Sequence, residues 1–328
     1  MRIKMEDVAK AVGVSKATVS LVMNDSPLVN AQTRIRVKQA AKKLGYEPNS
    51  QARRLALKRS GQIGLIVPDV ENVYYASLMR YMNIEIQRAG YSMLSAISEN
   101  LPETEEKLVR ELLRNSIDAI ILVPVHNSGI APPSIYRILQ SKTPAVLATS
   151  TYMEAGISCV MCDLYTGMRE LATLLYQRGR RKQVFISSDS AAVAFSLREK
   201  GFFDALMGKD AQANKVYLRD ITYEEAFRWA RNDSLTNIDA ILCVNDMMAL
   251  GVLEALKQRG ISVPEDIAVT GFDDVIFSRI TSTPITTVRQ NLALLSKLTV
   301  EHAVKLIQDS ATTEDIMIPC QLIERAST

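Results

Sequence analysis

The sequence predicts an all-α helix-turn-helix headpiece followed by an α/β domain of two lobes with parallel sheets. Three observations predict it. Two short amphipathic segments flank Gly13 near the start of the chain. The first 60 residues carry 13 Lys/Arg against 4 Asp/Glu, a net +9 in a chain whose total is +3. From residue 62 onward, apolar runs of four to seven residues alternate with amphipathic segments of helical length, in two successive sets.

The headpiece follows from spacing. Met5, Val8, Ala9 and Val12 fall at i, i+3, i+4 and i+7, the stripe of an amphipathic helix. Gly13 permits the left-handed backbone that ends it. Ser15 is a good N-cap for a second helix over 16–23, whose apolar face is Val19 and Val22. Two short helices joined by a Gly-containing turn make a helix-turn-helix. Asn24-Asp25-Ser26-Pro27 breaks the chain. A third helix is predicted over 31–44, capped by Asn30 and stopped by Gly45. Residues 48–60, basic and helix-prone with Leu55 and Leu57, have no core of their own and read as a hinge.

Strands are predicted at 63–67, 91–97, 119–123 and 145–149, then at 184–188, 215–218, 240–244 and 267–271. Strands of this length separated by helices imply βαβ units and parallel sheets. Two sets of four imply two similar lobes. In such sheets the crevice beyond the strand C-termini is the default ligand site. Those ends carry Asp69, Thr149-Ser150, Ser187-Ser188-Asp189, Asn245-Asp246 and Asp273-Asp274.

Composition bounds the function. A chain of 328 residues, 47% apolar and 23% charged, has the length and balance of a soluble protein of two or three domains. No apolar run reaches the ~18 residues of a membrane span. The charged start, MRIKMEDVAK, is no signal peptide, so a cytoplasmic location is expected. Residues 61–328 carry 26 basic against 32 acidic side chains, a net −6, so the positive charge is confined to the headpiece. A basic block on an acidic body is the footprint of a phosphate-backbone binder. Cys159 and Cys162 form a C-x-x-C, but three residues along a strand point to opposite faces. They read as buried thiols, and no metal or cofactor is expected. The two histidines are His126 and His302, and His302 sits at helical spacing. With no nucleophile motif, Walker A loop or GxGxxG, an enzyme is not expected.

EDVAKAVGVSKATVSLVMN (6–24) followed by TRIRVKQAAKKLGYEPNSQARRLA (33–56) resembles the headpiece and hinge of the LacI/GalR family of transcription regulators. GLIVPDVENVYYASL, CVNDMMALGVLEAL, ISVPEDIAVTGFDD, PITTVRQN and LIERAST resemble the family's landmarks in the expected order. The resemblance implies a headpiece over 1–47, a hinge over 48–60, and a periplasmic-binding-protein-like effector and dimerisation domain over 61–328. Lobe 1 would take about 61–160 and 291–318, and lobe 2 about 163–288. A free periplasmic-type binding protein has a similar two-lobed fold, but it lacks a DNA-binding headpiece.

The resemblance further implies that Lys16, Ala17 and Leu21 read base edges, while Ser15, Thr18, Ser20 and Asn24 contact the DNA backbone. Leu21 cannot donate a hydrogen bond but can touch a thymine methyl. Arg53, Arg54 and Leu55 would belong to a hinge helix whose Leu55 wedges into the minor groove. In the sensor, Asp69, Tyr74, Tyr75, Thr149, Asp163, Arg198, Ile221, Asn245, Asp246, Asp273 and Gln290 match effector contacts. Thr149 and Ile221 depart from sugar-responsive relatives, which often carry an Asp and an aromatic there; a register shift of two would bring Tyr223 to the second place. The expected function is a repressor whose grip on near-palindromic operator DNA is set by a small molecule, a sugar or sugar phosphate, between the lobes. The alternative is control by a protein partner or a phosphorylated metabolite. Mixed apolar faces on 74–88 and 100–114 suggest a homodimer through lobe 1, and the absence of a heptad tail points away from tetramers.

Overall fold

A computed structural model describes residues 3–23, 26–46, 60–125, 131–152, 155–190, 192–309 and 312–328. Its contacts divide the chain into two compact units, Met1–Ser60 and Gly61–Thr328.

The first unit contains α1 (Met5–Val12), α2 (Lys16–Met23) and α3 (Ala31–Leu44). Gly13 closes α1 at φ 71°, and no atom lies within 4 Å of where a Cβ would stand, so glycine is required there by conformation rather than space. Ser15 Oγ accepts from the Thr18 amide at 3.0 Å, and Asn30 Oδ1 accepts from the Thr33 amide at 2.8 Å, capping α2 and α3. Val8, Ala9, Val12, Val19 and Val22, which the periodicity predicts, form the core together with Val37 and Tyr46, which it does not. Arg36 ties α3 to the end of α1 by donating to the Val12 carbonyl at 2.7 Å.

The second unit begins with β1 (Gln62–Val67), α4 (Val73–Arg88), β2 (Ser92–Ile97), α5 (Pro102–Arg114), β3 (Ala119–Leu122), α6 (Pro133–Ser141), β4 (Ala145–Ala148) and β5 (Ser158–Cys162). It continues through α7 (Leu164–Gln177), β6 (Lys182–Ser188), α8 (Val193–Leu206), β7 (Gln212–Leu218), α9 (Tyr223–Asn232), β8 (Ala240–Cys243), α10 (Asp246–Gln258) and β9 (Ala268–Thr270). It ends with α11 (Ile276–Ile280), β10 (Thr287–Arg289), α12 (Leu292–Ile307), β11 (Ile316–Ile318) and β12 (Gln321–Ile323).

Lobe 1 is a parallel sheet in the order β11-β5-β4-β3-β1-β2, and lobe 2 is a parallel sheet in the order β7-β6-β8-β9. The predicted first set of four strands is thus six, because the apolar run at 158–162 and a late segment join it. Every residue of β3, β4, β5 and β8 is buried, as strands covered by helices on both faces must be. The chain passes between the lobes three times: from β5 into α7, from β10 into α12, and from β11 into β12. The second and third crossings are stitched together, since β10 and β12 pair antiparallel.

Lobe 2 repeats one packing device. A Cβ on Gly201 of α8 would lie 2.3 Å from the Tyr165 carbonyl of α7, and a Cβ on Gly251 of α10 would lie 2.3 Å from the Tyr223 carbonyl of α9. Both helix pairs cross backbone to backbone at a glycine. Gly201→Ala must push α7 and α8 apart, costing about 1–3 kcal/mol, the range for overpacking. The thermal midpoint of the full chain should fall by roughly 2–4 °C per kcal/mol. An unchanged midpoint would mean the pair re-seats freely.

Candidate ligand cleft and nucleic-acid interface

The strand ends of the two lobes face each other across a cleft. Its inner part is lined by Tyr74, Tyr75, Thr149, Arg198, Ile221, Asn245, Asp273 and Gln290, all predicted, together with Asn72, Ser150, Ala194 and Phe195. Fold position explains how they arrive there. Asn72 caps α4, its Oδ1 accepting from the Tyr74 amide at 3.0 Å, which aims the first turn and its two tyrosines into the cleft. Asn245 caps α10 in the same way at 2.8 Å. Thr149 and Asp273 leave their strands at φ 67° and 110°, values that non-glycine residues rarely hold, a strain that clusters at functional sites.

The polar groups of this inner part bond to one another. Tyr74 Oη donates to Gln290 Oε1 at 3.0 Å, and Gln290 Nε2 donates to Asp273 Oδ1 at 2.8 Å. Arg198 Nη2 reaches the same Asp273 oxygen at 3.2 Å, and Nη1 donates to the Val244 carbonyl at 2.7 Å. The Arg198 guanidinium also lies 4.1 Å from the centre of the Phe272 ring, in cation–π range. Its buried Nε has no hydrogen-bond partner among the described residues. The chain of contacts starts on α4 of lobe 1, passes through the crossover residue Gln290, and ends on lobe 2. It leaves about 30 Å³ of space, room for a water but not for a metabolite.

Outside this lies a mouth of about 360 Å³, lined from lobe 1 by Asp69, Glu71, Tyr75, Glu99 and Asn100 and from lobe 2 by Asp220, Ile221, Tyr223 and Glu224, among others. Five carboxylates line it, and its lining includes no Lys or Arg. Tyr223, stacked on Phe227 at 6.1 Å, supplies an aromatic beside Ile221. The sequence missed most of this rim because exposed acidic residues carry no periodic signal.

Two predicted contacts do not line the cleft. Asp246 is fully buried within lobe 2, where Thr287 Oγ1 donates to its Oδ1 at 2.6 Å and the Val275 amide to its Oδ2 at 2.8 Å. A Cβ on Gly271 would meet its Oδ1 at 2.1 Å, so glycine is needed for the loop to wrap this carboxylate. Asp163 caps α7, its Oδ1 accepting from the Thr166 amide at 2.9 Å. Both are structural clamps here. Asp69 sits at the rim, where its carboxylate also holds the Glu71 and Asn72 amides at 2.7 and 3.1 Å. Cys159 and Cys162 are buried, and burial pushes the Cys159 thiol up to about 12. Among the described residues, no group of three or more His, Cys, Asp or Glu is placed to hold a metal ion.

On the headpiece, Ser15, Lys16, Ala17 and Leu21 are exposed along α2, with Thr18 and Ser20 half-buried beside them. The remaining face, Val19 and Val22, is fully buried. Leu21 is 38% exposed, an apolar side chain left in solvent on the face predicted to read bases. Asn24, Arg53, Arg54 and Leu55 lie outside the described residues.

Comparison with known proteins accords with this architecture. The family described as "Bacterial regulatory proteins, lacI family" matches residues 4–49, and "Periplasmic binding protein-like domain" matches residues 172–328. The HTH-type transcriptional regulator GalS of Salmonella typhimurium is 32% identical over 96% of this chain and 92% of its own. The chain belongs to the lacI family. It is a DNA-binding transcription regulator whose second unit is an effector-binding domain. Catabolite control protein A of Staphylococcus xylosus is 27% identical over the full length of both chains. Among solved structures, the Lac repressor dimer bound to operator and an anti-inducer superposes with a TM-score of 0.86 at 25% identity, covering 100% of this chain and 99% of that one. The CelR–cellobiose complex gives 0.74 at 26% identity, covering all of both chains. No described helix of this lacI-family chain is long and apolar enough to cross a membrane.

The Asp273 carboxyl is pushed from 3.8 up to about 6, chiefly by burial, while Arg198 and Gln290 pull it back. The folded protein therefore keeps a proton that the unfolded chain has already released. Stability from this group is full below 3.8 and declines as pH rises through about 6. Burial raises Asp246 in the same direction. Asp273→Asn should flatten that decline without abolishing it, as read from urea unfolding across this pH interval. A profile as steep as that of the parent would remove Asp273 from the account.

Proposed function

We propose that this regulator is a cytoplasmic homodimeric repressor whose affinity for a near-palindromic operator is set by a small molecule bound between the lobes. The observation that supports it is the Tyr74–Gln290–Asp273–Arg198 chain, which joins the lobes with their own polar groups where a ligand would sit. A ligand that takes over those bonds changes how the lobes are held. That is differential binding to two arrangements, and it shifts their populations. In a dimer the shift would alter the spacing of two headpieces; the Lac repressor neighbour is a dimer on operator DNA.

In this reading Lys16, Ala17 and Leu21 read base edges, and Ser15, Thr18, Ser20 and Asn24 fix the register on phosphates. Arg53 and Arg54 add charge contacts at the hinge, and Leu55 is the minor-groove wedge. Tyr74, Tyr75, Thr149, Ile221, Asn245 and Gln290 surround the effector, with Arg198 and Asp273 as its charged partners. The five carboxylates of the mouth weigh against a phosphorylated metabolite, since a phosphate ester would meet like charge with no basic side chain on the rim. They favour a neutral, hydroxyl-bearing molecule or one with a cationic group.

Thermal-shift measurements on the full chain with sugars, sugar phosphates and nucleosides test this. Stabilisation is expected from unphosphorylated compounds, and stabilisation by phosphate esters alone would reverse the assignment. With a hit in hand, Arg198→Ala should abolish both the shift and the operator response while leaving ligand-free operator affinity within about threefold, a change under 1 kcal/mol. Loss of ligand-free operator binding would make Arg198 a structural residue.

A further inference from the structure

Lys16 is the first residue of α2, and its ammonium is not free. Its Nζ lies 2.6 Å from Oε1 of Glu6, in the first turn of α1, with the two side chains 64% and 48% exposed. The carboxyl of Glu6 is held below its usual range, chiefly by Lys16, and the ammonium of Lys16 is held above its own, chiefly by Glu6. The phenol of Tyr46, a buried residue of the headpiece core, senses both charges, which places the pair near the edge of that core. The other acidic residue of that turn, Asp7, is engaged elsewhere: its Oδ2 accepts from the Lys4 amide at 2.8 Å. Among the described residues of the first unit, Glu6 and Asp7 are the carboxylates, and Glu6 is the one that holds a predicted base reader.

A carboxylate on a surface that approaches phosphates is a cost unless it does something there. A lysine is a compact charge on a flexible stem with about 2 kcal/mol of rotamer entropy, and by itself it settles on any nearby phosphate. Tethering one of its three donors fixes the torsion of the ammonium, so the two that remain hold set, diverging directions. We infer that Glu6 is a specificity-determining positioning residue, holding the Lys16 ammonium toward base edges and away from the phosphate backbone. The inference rests on the reading of Lys16 as a base contact. It is local to the headpiece and independent of the effector.

The pair trades generic affinity for discrimination. A guanine edge offers O6 and N7, acceptors that the two remaining donors can use while the tether stays. A phosphate gains less, because engaging it means stretching or breaking the pair. Exposed pairs of this kind have modest strength, so effects of a few fold are expected, not hundreds.

The test uses the full chain and two duplexes: one enriched from a randomised pool by the parent protein, and one of scrambled sequence. Affinities are measured between roughly 50 and 200 mM salt, where phosphate contacts dominate the slope. Glu6→Gln should raise scrambled-duplex affinity about threefold and lower the selected-to-scrambled ratio about fivefold, the scale of an exposed ion pair. The salt slope on scrambled DNA should steepen by up to about 0.9, one added phosphate contact. Asp7→Asn makes the same charge change beside Glu6 and should leave the ratio unaltered. In a Lys16→Gln background, Glu6→Gln should no longer change the ratio. An unaltered ratio in Glu6→Gln, or an equal drop with and without Lys16, overturns the inference. If Lys16→Gln alone leaves the ratio intact, the base-reading assignment fails first and takes the inference with it. Unfolding curves for each variant keep stability separate from recognition.

Discussion

Arg198 is a buried cation at the point where the two lobes of the sensor meet, and Asp273 is the anion paired with it. Each charge offsets part of the cost of burying the other, with the Val244 carbonyl and the Gln290 amide as further partners. The loop that carries Asp273 must therefore be fixed with care. Gly271 lets it wrap the Asp246 carboxylate, Asp246 clamps the Val275 amide and the Thr287 hydroxyl, and Asp274 is tied down by Arg289 and Arg325. The positive φ angles at Asp273 and Asp274 are held by that scaffolding. Gln290 then extends the pair to Tyr74 and so to lobe 1.

The headpiece works by opposite means. Its charges lie in solvent, where ion pairs are weak and screened, and its order comes from a small apolar core and well-formed caps. The sensor's inner polar contacts are buried, whereas the headpiece residues proposed to meet DNA are exposed or half-buried. On the proposed reading, ligand is sensed where electrostatics are strong and DNA is read where they are screened.

Much of the fold was legible because its physics is local. The caps Ser15 and Asn30, the stop at Gly13 and the apolar stripe of α1 are all set by neighbours within four residues. The central strands β3, β4 and β8 announce themselves as short apolar runs. What escaped depends on distant partners. β10 and β12 are three residues each and exist only because they pair across more than thirty positions. β7 starts earlier than predicted, at Gln212, because as an edge strand it alternates polar with apolar residues and hides its beginning. The cleft was partly legible for the same reason. Strand ends gave its location, and family resemblance gave Tyr74, Arg198, Asp273 and Gln290. Neither could separate Asn245, which lines the cleft, from Asp246, which turns away from it one residue later. Phe195 and Asn72 reach the cavity through packing that no single stretch of sequence records.

The small volume left inside the cleft has a further meaning. A site whose polar groups, Arg198 Nε apart, already bond to one another sets an entry condition. A molecule that merely fits must strip hydrogen bonds from Asp273 and Gln290 without returning them, and buried groups left unpaired are penalised far more than a poor fit between apolar surfaces. On the proposed reading, the mutual hydrogen bonds of Tyr74, Gln290, Asp273 and Arg198 compete with an effector for the same donors and acceptors. In that reading they disfavour a molecule that fits without answering every donor and acceptor it displaces.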